Sequence, residues 1–240
     1  MSAERLLREG KLDQAVQVLG GALRENPGDS RSRTFLFELL CFRGDYDRAS
    51  THLKMLGSQS KDAGVGALLY EGALHAERLR ETMFRTRDFP GPLPEGASTV
   101  SGTLNGRPFT SLSDADPRIG ARLEIFAGGD YLWIPLNQVA SLEMKPPARL
   151  RDLLWASAVL EMGPAFEQRD LGEVLLPVLC PLSFHDPDDQ VRLGRVTEWY
   201  RDEQGLEFPL GQKMLLVDGE EFPFLEVRKL EINQAAAERA

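Results

Sequence analysis

Through the first 87 residues, apolar side chains recur every three to four positions, the spacing that lines one buried helical face. Leu19 follows Ala15 by four, and Leu53 follows Ala49 by four. The two pairs sit in matching strings. Gly10-Lys-Leu-Asp-Gln-Ala15 recurs as Gly44-Asp-Tyr-Asp-Arg-Ala49, an offset of 34 residues. Each shared position has a physical reason. The Gly lets the chain leave one helix through a left-handed turn. The acidic residue caps the next helix or sits in its first turn, where the helix dipole favours it. The small Ala lets two helices approach closely. Asn26-Pro27 stops the first unit, and a stub of helix over roughly residues 2–9 precedes the first turn.

That period and pattern are those of tetratricopeptide-like helix pairs; the alternative is an ordinary bundle of three to five helices. Before Gly44 the usual aromatic and small residues are replaced by Arg33, Leu36, Phe37 and Leu40. A third helix is expected from about Asp62 to Arg87, with Leu68, Leu69, Ala73, Leu74, Ala76, Leu79 and Met83 apolar. Arg78 stands where the next Gly turn would fall. This segment therefore reads as one long helix closing the stack.

The pattern then changes. Residues 88–97 hold three prolines and two glycines and read as a linker between a helical domain (1–87) and a second domain (98–240). Strand-like runs follow at Val100–Leu104, Arg107–Leu112, Arg122–Phe126, Tyr131–Pro135, Ser157–Met162, Glu173–Leu179, Val191–Thr197, Lys213–Val217 and Phe222–Ile232. Asn105-Gly106, Gly128-Gly129-Asp130 and Asp218-Gly219 are hairpin-turn signals. Leu150 to Trp155 reads as one helical turn, and the tail after Asn233 as frayed or helical. The expected fold is α+β: tetratricopeptide-like helices, then a mainly antiparallel β domain forming a curved sheet or small barrel.

Charge narrows the function. The 240 residues carry 28 Lys+Arg against 37 Asp+Glu, a net charge of −9. No basic field is available for broad binding to nucleic acid or anionic lipid. Residues 1–95 hold 14 basic and 14 acidic side chains, and residues 96–240 hold 14 and 23, so the whole excess lies in the second part. Two cysteines, Cys41 and Cys180, make neither a disulfide framework nor a four-thiolate zinc site. No apolar run approaches the roughly 20 residues of a membrane span, and the charged N-terminus lacks a signal-peptide core. A cytoplasmic protein without membrane insertion and with reduced thiols is expected.

Candidate chemistry is sparse. His52, His75 and His185 assemble no catalytic triad. The loop His185-Asp-Pro-Asp-Asp189 lacks the Gly and distal Glu of a calcium loop and reads as a solvated acidic segment. Asp114-Ala-Asp116 reads as a strand-ending turn whose carboxylates cap backbone N–H groups or pair with Arg118. A divalent-metal enzyme built on Asp114, Asp116 and Arg118 is the competing reading. The pair Arg151-Asp152 reads as a structural ion pair. Trp133, Trp155 and Trp199 are expected in the β core, with an exposed partner anchor as the alternative.

The string Asp114-Ala-Asp-Pro-Arg-Ile-Gly-Ala-Arg-Leu-Glu124 resembles the Asp-Ala-Asp-x-Arg-Leu-Gly-Pro-x-Leu-Glu signature of the ImpE/TagJ family. These proteins, also called SciE-type virulence proteins, are accessories of bacterial type VI secretion. Three more stretches are similar to family motifs, in order: Gly129-Asp-Tyr-Leu-Trp133-Ile-Pro135-Leu136, Pro146-Pro-Ala-Arg-Leu150-Arg151-Asp152-Leu-Leu-Trp155, and Arg192-Leu-Gly-Arg-Val-Thr197-Glu198-Trp199 followed by Gly211-Gln212-Lys-Met214. Asp114, Asp116, Arg118, Gly120, Leu123 and Glu124 carry the first motif and read as structural. The resemblance spans nearly the whole chain. It departs at Ala121, where the family prefers Pro, and at Val178-Leu-Cys-Pro181, which replaces an Arg-Tyr-Pro strand. The Pro-rich linker also stands where the family has further helical sequence.

The resemblance implies a non-enzymatic adaptor without cofactors. It implies binding to the small subunit of the contractile sheath through a helix near that subunit's N-terminus, with a link to a ClpV-type unfoldase. A chaperone or adaptor for another secretion component or effector is the alternative. A stack of helix pairs offers a concave groove suited to such a helix. Arg31, Thr34, Glu38, Cys41 and Phe42 are expected to line it, with Phe42 as apolar anchor and Arg31 and Glu38 as rim charges. Cys41 and Phe42 buried between helices is the alternative. Val65, Leu68, Gly72 and His75 are expected on the far wall.

Overall fold

The structure is a computed structural model that describes residues 2–92, 100–164 and 171–234. Five helices come first: α1 (Ala3–Arg8), α2 (Leu12–Glu25), α3 (Ser30–Phe42), α4 (Tyr46–Gly57) and the long α5 (Lys61–Thr86). They pack in sequence, each on the next, as repeats do. Gly10 and Gly44 take positive φ, +73° and +69°, at the two tight turns. Asp13 and Asp47 lie in the first turns of α2 and α4, and Ala15 and Ala49 are wholly buried between helices. Asp29 caps α3 by accepting from the N–H groups of Arg31 and Ser32.

The sheet half contains β1 (Gly102–Leu104), β2 (Arg107–Phe109), β3 (Leu112–Asp114), β4 (Arg122–Ala127), β5 (Asp130–Pro135), β6 (Val139–Met144), β7 (Trp155–Met162), β8 (Gly172–Pro177), β9 (Thr197–Arg201), β10 (Glu207–Gly211), β11 (Met214–Val217), β12 (Glu220–Pro223) and β13 (Lys229–Ile232). Eight of them form one antiparallel sheet in the order β2-β1-β13-β6-β7-β8-β4-β5. A three-stranded sheet β12-β11-β3 and the hairpin β9–β10 complete it. The large sheet is open, with β2 and β5 at its edges, so it is curved but not a closed barrel. Asn105-Gly106 and Asp218-Gly219 make the expected tight hairpins, with both residues of each pair at positive φ.

Several strand expectations are corrected. Val191–Thr197 is not a strand: a short helix, α6 (Asp189–Arg192), occupies its start because Asp188 caps it and accepts from the Gln190 N–H. β6, β10 and all of β9 beyond Thr197 were not expected, and the single run expected over Phe222–Ile232 is β12 and β13 parted by a 3-10 turn at Phe224–Glu226. β10 carries Pro209 and Gly211, residues that normally argue against a strand, and it survives because it pairs only with β9. Leu150–Leu153 is a 3-10 turn, as the one-turn reading implied. Half of the expected linker (93–97) and the tail beyond residue 234 lie outside the described residues.

Two apolar cores result. One face of the large sheet packs on the small sheet through residues such as Leu142, Leu160, Leu176 and Phe224. The other core is shared by both halves of the chain: Leu36, Leu40, Phe42, Leu74 and Phe84 from the helices meet Ile119, Phe126, Trp155, Leu175 and Leu193.

Candidate functional site

The Asp-Ala-Asp signature folds into a closed turn. The Asp114 carboxylate accepts from the Asp116 N–H at 2.9 Å, and Asp116 accepts from the Arg118 N–H at 3.0 Å. The Arg118 guanidinium grips Asp116 at 2.6–3.1 Å. It lies between the rings of Phe84 and Phe208, 4.8 and 4.3 Å from their centres. Gly120 turns the chain at φ +61°, and Leu123 enters the core.

Behind this turn lies a buried charge network. Arg80 of α5 donates two parallel hydrogen bonds to Glu124 of β4, at 2.7 and 2.9 Å, and a third to the Leu179 carbonyl. The Lys213 ammonium bridges Asp114 and Glu124, at 2.5 Å from each. The Tyr131 hydroxyl donates to Glu124, and Trp133 Nε1 donates to that hydroxyl oxygen. Glu77 accepts from Trp155 Nε1 at 2.9 Å and lies 3.6 Å from Arg80. Burial alone would raise the Glu124 carboxyl, but Arg80 and Lys213 hold it down at about 2. Burial raises Asp114 to about 6 despite Lys213. Burial likewise raises Glu77, with Arg80 opposing. These carboxylates already have internal partners, and among the described residues no group of three or more His, Cys, Asp or Glu is arranged to hold a metal. Lys213 and Arg118 thus hold Asp114 and Asp116, and Glu124, shared by Lys213 and Arg80, links this turn to α5.

The acidic loop is also internal architecture. Asp189 accepts from the Leu12 N–H at 2.8 Å, joining it to the first repeat, and Asp186 accepts from the Tyr200 hydroxyl. His185 is mostly exposed.

The expected groove needs correction. Arg31 is exposed and Thr34 partly so, its hydroxyl donating to the Ser30 carbonyl. Glu38, Cys41 and Phe42 are buried, Phe42 to 1% exposure. Phe42 faces Leu150, Leu153, Leu179 and Leu193 rather than an open channel. The second half of the chain fills the groove beside Phe42, while Glu4, Leu19, Arg31, Ser32 and Phe35 line an open cleft of about 330 Å³. Arg151 lies 3.7 Å from Glu38 and over the Tyr70 ring at 5.1 Å. Burial raises the Glu38 carboxyl to about 7, with Arg151 opposing.

The other signature residues explain this fit. Asp152 accepts from the Ala148 and Arg149 N–H groups and fixes the turn that presents Arg151. Trp155 packs on Tyr70, and Trp133 stacks on Phe89. Pro135 closes β5 opposite Arg122. The Thr197 hydroxyl donates to the Gln212 carbonyl, and Gly211, at φ +100°, lies where a side chain would strike the Val196 carbonyl. Glu198 and Trp199 stand exposed on the β9–β10 hairpin, so Trp133 and Trp155 join the packing while Trp199 does not.

The N-terminal part of α5 is open as well. Val65 and Leu68 are 73% and 75% exposed, and Leu69 is also exposed. With Gly72, Phe126, Gly128, Gly129 and Leu175 they line a cleft of about 450 Å³. His75 is exposed one turn beyond Gly72. Arg80, Lys213, Glu77 and Tyr131 were missed as site residues. The one signal for Arg80 was a charge in line with buried Ala73, Ala76 and Phe84.

The structure thus defines a class in which a stack of tetratricopeptide-like helices docks on an open antiparallel sheet. Comparison agrees in detail. The ImpE protein family model matches residues 106–231, and a tetratricopeptide repeat model matches residues 6–69. The chain is 32% identical, over 99% of its length and 93% of the relative's, to the type VI secretion system accessory component TagJ of Pseudomonas aeruginosa. The crystal structure of protein VPA1032 from Vibrio parahaemolyticus has the same fold, with a TM-score of 0.82, 22% identity and 98% of each chain covered. The chain belongs to the ImpE family.

Proposed function

We propose that this protein is a non-catalytic accessory of a type VI secretion system that binds the small subunit of the contractile sheath through a helix of that subunit. Its likeness to a type VI accessory component runs the whole length of the chain, which supports a shared role. The observation that carries the binding mode is the open apolar cleft at Val65, Leu68 and Leu69. Helices dock in such clefts by inserting apolar side chains. The test is a pull-down of the cognate sheath small subunit by the purified protein, with calorimetry on a peptide of the subunit's N-terminal helix. Saturable binding of both is expected. No binding of either refutes the proposal, and capture of a different secretion component alone makes the chain an adaptor for that component.

A further inference from the structure

The helices of the first two units come in pairs: α1 with α2, and α3 with α4. By this pattern α5 is the first helix of a third pair. Among the described residues no second helix follows it; the chain goes on to β1. α5 meets α4 through Ala67, Glu71 and Arg78: Ala67 lies against Gly57, Glu71 accepts from the Ser50 hydroxyl, and Arg78 pairs with Asp47. At 100° per residue, Val65, Leu69 and Gly72 point away from α4, with Leu68 at the border. From Ala73 onward α5 buries one face, Ala73, Leu74, Ala76, Arg80 and Phe84, where it crosses β4 and β5. Before Ala73 its apolar stripe, spaced i, i+3, i+4, is bare. That spacing is the ridge into which a second helix packs.

The surface beside the stripe carries an excess of negative charge. Strand register fixes which side chains share that sheet face. Phe126 and Leu175, at the floor of the cleft, lie in one row with Ser157. The next row is Glu173, Val159, Glu143 and Lys229, and the one beyond holds Glu161, Ser141 and Glu231. Four glutamates thus face one lysine. Lys229 pairs with Glu231 at 2.9 Å and lies 3.8 Å from Glu143, while among the described residues Glu161 and Glu173 accept from the Ser141 and Ser157 hydroxyls. Val159 is exposed between Glu173 and Glu143.

We infer that this surface binds a cationic amphipathic helix of a partner protein, which takes the place of the absent second helix of the third pair. Its apolar side chains enter between Leu68, Leu69 and Leu175, and its Lys or Arg residues lie over Glu173, Glu143 and Glu161. The inference rests on the reading that the sheath subunit presents a helix, and adds where that helix sits and what charge it bears.

The experiment uses the full-length chain, the intact cognate sheath small subunit, and a peptide of the subunit's N-terminal helix. Leu68→Asp alters an exposed side chain, as does the pair Glu143→Lys/Glu173→Lys; a Glu220→Lys variant on β12 is the control. Leu68→Asp is expected to weaken binding at least tenfold. The charge reversal is expected to weaken it about tenfold and to flatten its salt dependence, and a peptide with Lys and Arg changed to Glu is expected to recover affinity for that variant. Glu220→Lys is expected to bind as the parent does. If the parent binds while Leu68→Asp and the charge reversal stay within twofold, the inference is overturned and the proposed function stands. If only the charge reversal is silent, the cationic character is overturned. If the intact subunit does not bind the parent protein, both readings fall.

Discussion

Lys213 offers the sharpest test of the buried network. Replacing it with Met keeps the aliphatic bulk and removes an ammonium that lies 2.5 Å from both Asp114 and Glu124. Glu124 retains the bidentate Arg80, so the group left without a cation is Asp114. Removing one partner of a buried ion pair costs about 3–5 kcal/mol. Asp114 already stands at about 6, and without Lys213 it moves higher and binds a proton, which places Lys213→Met toward the lower end of that range. Protonation is easier in acid, so the loss is larger at pH 7.5 than at pH 5.5. Asp114→Asn then restores balance, because its carbonyl oxygen can still accept the Asp116 N–H. The double variant should therefore recover about 2 kcal/mol relative to the sum of the singles. Urea unfolding of the four proteins at both pH values measures this. If the single-site losses add within about 0.5 kcal/mol, the two groups are independent and the network reasoning is wrong.

Other outcomes follow from the same contacts. Glu38 at about 7 and Asp114 at about 6 are raised above their unfolded values, so each contributes stability that is present in acid and lost as pH climbs through about 4–7; Glu124, held at about 2, contributes stability lost as pH falls below about 4.5. Thermal melts should show a maximum near pH 5, and a flat profile from pH 4 to 8 contradicts this. Phe42→Ala should cost about 3–5 kcal/mol and destabilise helices and sheet together, giving coincident transitions by far-UV dichroism and tryptophan fluorescence. Separated transitions would show that the halves are independent. Gly44→Ala should cost more than Gly10→Ala although both glycines have positive φ, because the new methyl meets the packed Phe184 ring in one case and the end of the Gln190 side chain in the other. Equal melting temperatures for the two variants would contradict that account.

The repeat half was legible because its rules are local. A Gly turn, an acidic first turn and a buried Ala each act within a few residues, and all recur after 34. The hairpins at Asn105-Gly106 and Asp218-Gly219 were legible for the same reason. Lys213 and Arg80 were not. One stands in a short Gly-Gln-Lys-Met string and the other in a helix, and their shared partner Glu124 is 89 and 44 residues away. Spacing rules carry no information about such distant pairs. The groove expectation erred similarly. Phe42 has the helical position of a partner anchor, but its occupant is the chain's own Leu150–Trp155 segment, brought there by the sheet. Leu68 and Leu69 look like core positions by period, yet they stand in water because no second helix covers them among the described residues.

The core shared by both halves has a consequence for synthesis. Leu36, Leu40 and Phe42 leave the ribosome early, but Trp155 and Leu193, which cover them, follow more than 100 residues later. At about 5–20 residues per second, that wall of the helix stack stays bare for on the order of ten seconds. During that interval the nascent helices present the same kind of sticky face that the finished protein keeps at Val65, Leu68 and Leu69. The sheet half thus acts as a built-in cover, delivered late, and a chain truncated before Trp155 should emerge as a substrate for cellular chaperones instead of a smaller adaptor.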